Sequence, residues 1–125
     1  MTPLAFVLMA AAGGAGAVCR LVLDGVVRAR TTGAIPWGTV LINLSGSFLL
    51  GLLTGLVGSR VLPEALLLVL GTGFLGGYTT YSTASFETVR LLQQRRWAAG
   101  VANGLGVLVT ATAAAGLGLW LGAVV

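Results

Sequence analysis

Apolar residues run along this chain in four long stretches, at about 3–23, 37–59, 64–91 and 98–122, and polar residues gather in the gaps DGVVRARTTGAIP, RVLP and QQRRW. Each stretch supplies the roughly 20 residues that a helix needs to cross a hydrocarbon core. The pattern predicts four membrane-spanning helices. Trp37, Trp97 and Trp120 fall at expected helix ends, where indole rings favour the interface. The first stretch lacks a basic start and continues through GGAGA to Arg20, so it reads as a helix of the protein rather than a cleaved signal. Its glycines and alanines form a packing face, because small residues let helix backbones approach closely in lipid. No linker, repeat or second domain interrupts residues 1–125, which are read as one four-helix membrane unit. Four short helices hardly enclose a pathway alone, so an oligomer is expected.

Composition points the same way. Of 125 residues, 57% are hydrophobic, 8% are charged and 20 are glycine, and seven arginines and three acids, with no lysine or histidine, cannot cover a soluble exterior. The fold class is all-α integral membrane protein. The pI near 10.7 reports membrane topology rather than nucleic-acid binding, because the arginines are scattered at the ends of apolar runs and form no aromatic-interleaved patch. One cysteine, Cys19, excludes an intrachain disulfide and a multi-cysteine metal site, and reads as a small packing residue. Gly71, Gly73 and Gly76 spell GxGxxG, but a dinucleotide site needs a soluble strand–helix unit and an acid about 20 residues on, where Leu91 stands.

The third stretch poses the chemical question, because GGYTTYST, Gly76 to Thr83, interrupts it with small, hydroxylated and aromatic residues. Irregular backbone at membrane depth is tolerated only against protein or a wet cavity. Two glycines followed by β-branched threonines predict a helix break. Freed carbonyl oxygens would suit a hard cation such as sodium, and Thr80, Ser82 and Thr83 would offer hydroxyl donors beside the ring edges of Tyr78 and Tyr81. The competing reading is a kinked packing helix whose hydroxyls bond back to their own carbonyls. In the second stretch Thr39 and Asn43 share a helical face, as donors or as interhelical glue. Arg20 near the end of the first helix is a snorkelling anchor or an anion attractor. Glu87, one turn beyond Thr83, is an intramembrane carboxylate or a charge reaching the interface before Arg90.

Taken together, GTVLINLSGSFLLG, GFLGGYTTYSTASFE and GGAGAVCR resemble the Fluc family of small fluoride channels. The resemblance covers all four stretches and implies a channel rather than an enzyme, in a bacterial-type inner or plasma membrane. It implies an antiparallel, dual-topology dimer with two narrow fluoride pores, and a structural sodium ion held by the carbonyls of Gly76 and Thr79 from both subunits. The pore residues it implies are Asn43, Tyr81, Ser82, Thr83 and Glu87, with Thr39 and Arg20 as further candidates. The chain departs from the pattern at Tyr81 and Ala84, where relatives carry two phenylalanines, and at Val107 and Ala111, where they carry serines after a residue such as Asn103. Thr110 and Thr112 are substitutes only if they do not bond their own backbone.

Fluoride suits such a lining because a strongly hydrated small anion needs many weak donors in exchange for water, without a fixed charge to trap it. Two rivals are a proton-coupled exporter of the small multidrug type, which needs a carboxylate deep in the membrane that the first stretch lacks, and a non-conducting or half-degenerate subunit of a heterodimer. The arginines bear on the partner. Arg28, Arg30, Arg95 and Arg96, with Arg20 and Arg90 at adjoining helix ends, lie on the face of the first and third gaps, and only Arg60 lies on the other. That bias of six against one predicts both termini outside the cytoplasm. It favours a different family member over a second copy as the antiparallel partner.

Overall fold

The computed structural model describes residues 1–125 and contains helices and connecting turns, with no strand. Helix α1 (Pro3–Arg30) starts on Thr2, whose hydroxyl accepts the Ala5 N–H at 3.1 Å, with Pro3 in the first turn. It is longer than the first apolar stretch. Arg28 donates from Nε to Asp24 Oδ2 at 2.9 Å one turn back, and Arg28 and Arg30 face the negative end of the helix dipole. Helical structure therefore persists for about 10 Å beyond the point where hydrophobicity stops.

Helix α2 (Trp37–Gly58) follows a short linker in which Gly33 takes a φ of 98°. It ends on Arg60 at φ 61°, with Arg60 N–H on the Val57 carbonyl and Val61 N–H on the Leu56 carbonyl. Arg95, at φ 59°, ends the fourth helical segment in the same way through Leu92 and Leu91. A left-handed residue at this position is usually glycine. Arginine accepts strain of about 1 kcal/mol there and places a cation at the helix C-terminus.

The third crossing is two helices in series. Helix α3 spans residues 64–78 and is wound as a wider π-helix from Leu67 to Leu75. Thr79 and Thr80 are extended, and α4 (Tyr81–Gln93) resumes beyond them. The break lies two residues past the glycine pair named by the sequence, because Gly76 and Gly77 remain helical. A Cβ on Gly77 would strike the Gly13 carbonyl of α1, so that glycine serves close packing. Helix α5 (Trp97–Val124) closes the bundle, and α1, α2 and α5 are each long and apolar enough to cross alone.

Glycine faces set the packing. Helices α2 and α5 interlock through Gly51 and Gly55 against Gly118 and Gly122, where added Cβ atoms would land on backbone of the facing helix. Each pair is spaced four apart, the small-residue spacing that joins helices in lipid. Helix α1 meets α3 through Gly16 against the Phe74 carbonyl and through Gly73, whose Cβ would stand 2.7 Å from the Met9 oxygen. Gly71 and Gly73 of the GxGxxG string are thus buried packing residues. Ile42, Leu75 and Tyr78 form the small core, and large apolar side chains such as Leu4, Val18 and Leu117 point outward, as expected of helices facing lipid.

Candidate functional site

Two consecutive extended residues remove helical hydrogen bonds in the middle of an apolar bundle, and the chain repairs the loss with one side chain. Asn43 of α2 donates from Nδ2 to the Thr80 carbonyl at 2.9 Å, and its Oδ1 accepts the Thr80 N–H at 2.9 Å. The amide thus pairs with both polar groups of one residue, which fixes its orientation. Thr80 then caps α4, its hydroxyl accepting the Thr83 N–H at 3.2 Å and donating to Thr83 Oγ1 at 3.0 Å.

These substitutions release two carbonyls. In an unbroken helix the Thr80 N–H would go to Gly76 and the Thr83 N–H to Thr79. Both donors are engaged elsewhere, so the Gly76 and Thr79 oxygens lose their helical partners. Gly76 is exposed, and a Cβ there would meet nothing within 4 Å. Neutral carbonyl oxygens at a helix break form a donor set that fits a hard monovalent cation.

Beside the break runs an open groove of about 990 Å³ between α2, the two halves of the third crossing and α5. It is lined by Asn43, Gly76, Thr79, Thr80, Tyr81 and Ala84, and it carries no charged side chain. Tyr81 is 88% exposed. The hydroxyls of Ser47, Thr72, Tyr81 and Ser85 also line it and make no hydrogen bond within the chain, and Asn43 keeps one N–H free. Ser47, Thr72 and Ser85 were not singled out from the sequence. Ser47 stands one turn after Asn43, a spacing that puts both on one face.

The last helix lines the groove mainly with apolar and small side chains and offers it no free hydroxyl. Val107 and Ala111 face the groove, Thr110 donates to the Gly106 carbonyl at 2.6 Å, and Thr112 to that of Leu108 at 2.7 Å. Asn103 is buried and donates to Thr88 Oγ1 at 2.8 Å, and the Thr88 hydroxyl returns to the Ala84 carbonyl.

The remaining candidates lie off the groove. Ser82 is exposed on α4, with its oxygen 3.4 Å from Thr80 Oγ1, and Thr83 is half-buried. Thr39 is buried and donates to Glu87 Oε1 at 3.1 Å, the oxygen that also accepts Arg28 Nη2 at 2.9 Å. Asp24 completes this knot through Arg28 and joins the end of α1 to α2 and α4. Spacing along the chain could not reveal a partner 59 residues away. Arg20 stands about 15 Å before the end of α1, with its Nε buried and unpartnered.

Comparison with known proteins gives this geometry a family. The model of the CrcB-like proteins, described also as camphor resistance, matches residues 7–119. A fluoride-specific ion channel FluC 1 of Leifsonia xyli subsp. xyli is 57% identical over 122 residues, 98% of this chain and 89% of that relative. Proteins named fluoride-specific ion channel FluC from Magnetococcus marinus and FluC 2 from Mycolicibacterium paratuberculosis are 44% and 48% identical, covering 91% and 85% of this chain and 94% and 84% of their own lengths. A four-helix bundle with a broken third crossing, matched over nearly its whole length, belongs to the CrcB-like family of multi-pass bacterial plasma-membrane proteins.

Proposed function

We propose that the chain is a subunit of a fluoride-selective ion channel through which cytoplasmic fluoride leaves the cell down its electrochemical gradient. The observation that carries this reading is the uncharged groove of free hydroxyl and amide donors at the helix break. In hydrocarbon each unpaired polar group costs several kcal/mol, so a face with this many needs a second protein surface and an occupant that accepts hydrogen bonds. A second chain packed antiparallel would close the groove. Asn43 and Tyr81 would then meet the anion beside the break, and Ser82, Thr83 and Glu87 would lead along α4 to one end, where Thr39 and Arg28 hold the carboxylate. Arg20 would bias the region toward anions. A cell interior negative by 100 mV favours the exit of one negative charge by about 2.3 kcal/mol.

The Gly76 and Thr79 carbonyls, with their counterparts in the second subunit, would hold the structural sodium ion. When bound, it supplies the positive charge that replaces the missing helical donors. The three acids, Asp24, Glu64 and Glu87, leave the middle of α1 without a carboxylate, which speaks against a proton-coupled exporter.

A heterodimer is the second reading, favoured by Val107 and Ala111 in the groove and by the arginine distribution. Arg28, Arg90 and Arg96 gather around one cavity at one end of the bundle, the end assigned to the cytoplasm. Purified chain reconstituted into liposomes tests the proposal through fluoride efflux on an ion-selective electrode. Rapid efflux that requires valinomycin and potassium for charge balance supports the channel. Efflux of a cation coupled to protons would support the exporter, and silence would support a subunit that needs a different partner.

A further inference from the structure

The cavity at that end lies away from the groove and shares no lining residue with it. It measures about 430 Å³, within the range of small-ligand sites, and is built from the last turn of α1, the linker 31–36, the end of α4 and Arg96. Arg28, Arg90 and Arg96 line it against a single carboxylate, Glu87, which already accepts from Arg28. Arg90 and Arg96 make no salt bridge and no side-chain hydrogen bond within the chain. The backbone N–H groups of Thr31, Thr32, Gly33, Ala34 and Ile35 are also without partners in the chain, and all five residues line the cavity. Guanidinium forks and free amides together are a recognition set for phosphate oxygens. Ile35, Pro36 and Trp37 supply an apolar wall, and the half-exposed Trp37 marks the headgroup level.

We propose that this pocket binds the phosphate headgroup of an anionic phospholipid in the leaflet to which the first and third linkers belong. Basic pockets at the ends of membrane helices collect such headgroups on the cytoplasmic side, the side assigned to this face by its arginines. The phosphate lies between Arg90, Arg96 and the linker amides, and the glycerol backbone lies along Ile35 and Trp37. Because Glu87 is in the same pocket, a seated headgroup stands at the mouth of the proposed path. That consequence rests on the channel reading, whereas lipid binding itself does not.

Native mass spectrometry of the delipidated chain, titrated with phosphatidylglycerol or phosphatidylcholine, tests the site. The expected result is one phosphatidylglycerol retained per chain in preference to phosphatidylcholine, with retention lowered about tenfold or more in Arg90→Gln/Arg96→Gln. The pair Arg30→Gln/Arg95→Gln removes the same charge from the same face outside the pocket and is expected to change retention less than twofold. If the first pair does not fold, Arg96→Gln alone, on the exposed linker, is expected to lower retention several-fold. Equal losses in the two pairs, equal binding of both lipids, or an unaffected Arg96→Gln would overturn the proposal. Displacement of phosphatidylglycerol by millimolar inorganic phosphate would move the site to a soluble phosphate and overturn the lipid assignment.

Discussion

Replacing Asn43 by aspartate changes one donor into an acceptor at the centre of the helix break. The new carboxylate would keep an acceptor for the Thr80 N–H, lose the donor to the Thr80 carbonyl, and place an oxygen against that carbonyl at the 2.9 Å now occupied by Nδ2. Thr80 is 7% exposed, so water does not replace the lost partner. Leaving a buried carbonyl unpaired costs about 1–3 kcal/mol, and electrostatic repulsion adds to this. The cost has a ceiling, because protonation gives the carboxyl both a donor and an acceptor. From an ordinary carboxyl value near 3.9, neutralising it at pH 7 costs about 4 kcal/mol. The expected loss is therefore about 2–4 kcal/mol at pH 7, with the deficit shrinking as the pH falls and the neutral form becomes accessible. Asn43→Leu, which can regain neither bond, is expected to show no such recovery. Thermal unfolding in detergent at several pH values reads both variants, and fluoride flux at neutral pH is expected to be lost in both. An Asn43→Asp protein within about 0.5 kcal/mol of wild type at pH 7, or one whose pH profile matches that of Asn43→Leu, would refute the role of this amide in holding the break.

The other expectations follow from single contacts. Gly118→Ala puts a methyl on the Phe48 carbonyl and is expected to cost at least the roughly 1–3 kcal/mol typical of overpacking, whereas Gly14→Ala, with nothing within 4 Å, is expected to be neutral or stabilising by up to about 1 kcal/mol in the same unfolding measurement. Thr80→Val removes the cap of α4 and is expected to cost about 0.5–2 kcal/mol and to raise amide exchange at Thr83, while Ser82→Ala leaves that amide unchanged. Reporter fusions at the C-terminus are expected on the non-cytoplasmic side only, and similar amounts on both sides would end the fixed-orientation reading and favour a homodimer.

Hydropathy made the four crossings legible because lipid imposes length and apolarity on every span. The end of α1 was not legible in the same way, since its last turn is held by an Asp24–Arg28 pair that hydropathy scores as loop. The break in the third crossing was announced by GGYTTYST, but its position was not, because Gly76 and Gly77 read equally well as break or as packing surface. Only the approach of Gly13 from α1 separates the two. The Asn43 amide was visible as a polar residue in a span, while its partner, the Thr80 backbone, has no side-chain signature. Glu87 was visible as a carboxylate, yet its engagement by Thr39 and Arg28 depends on how three helix ends meet. Ser47, Thr72 and Ser85 were missed because a single hydroxyl in a helix usually bonds its own backbone, and theirs do not.

The central claim is that the groove at the Thr79–Thr80 break becomes a fluoride-selective conductive path when two subunits meet. Its most direct measurement is the reversal potential of the reconstituted chain in a planar bilayer, with a tenfold fluoride gradient and an opposing chloride gradient. A path that passes fluoride and rejects chloride reverses near the fluoride equilibrium value, about 59 mV for a singly charged ion. Reversal near zero, or near the chloride value, would contradict the account.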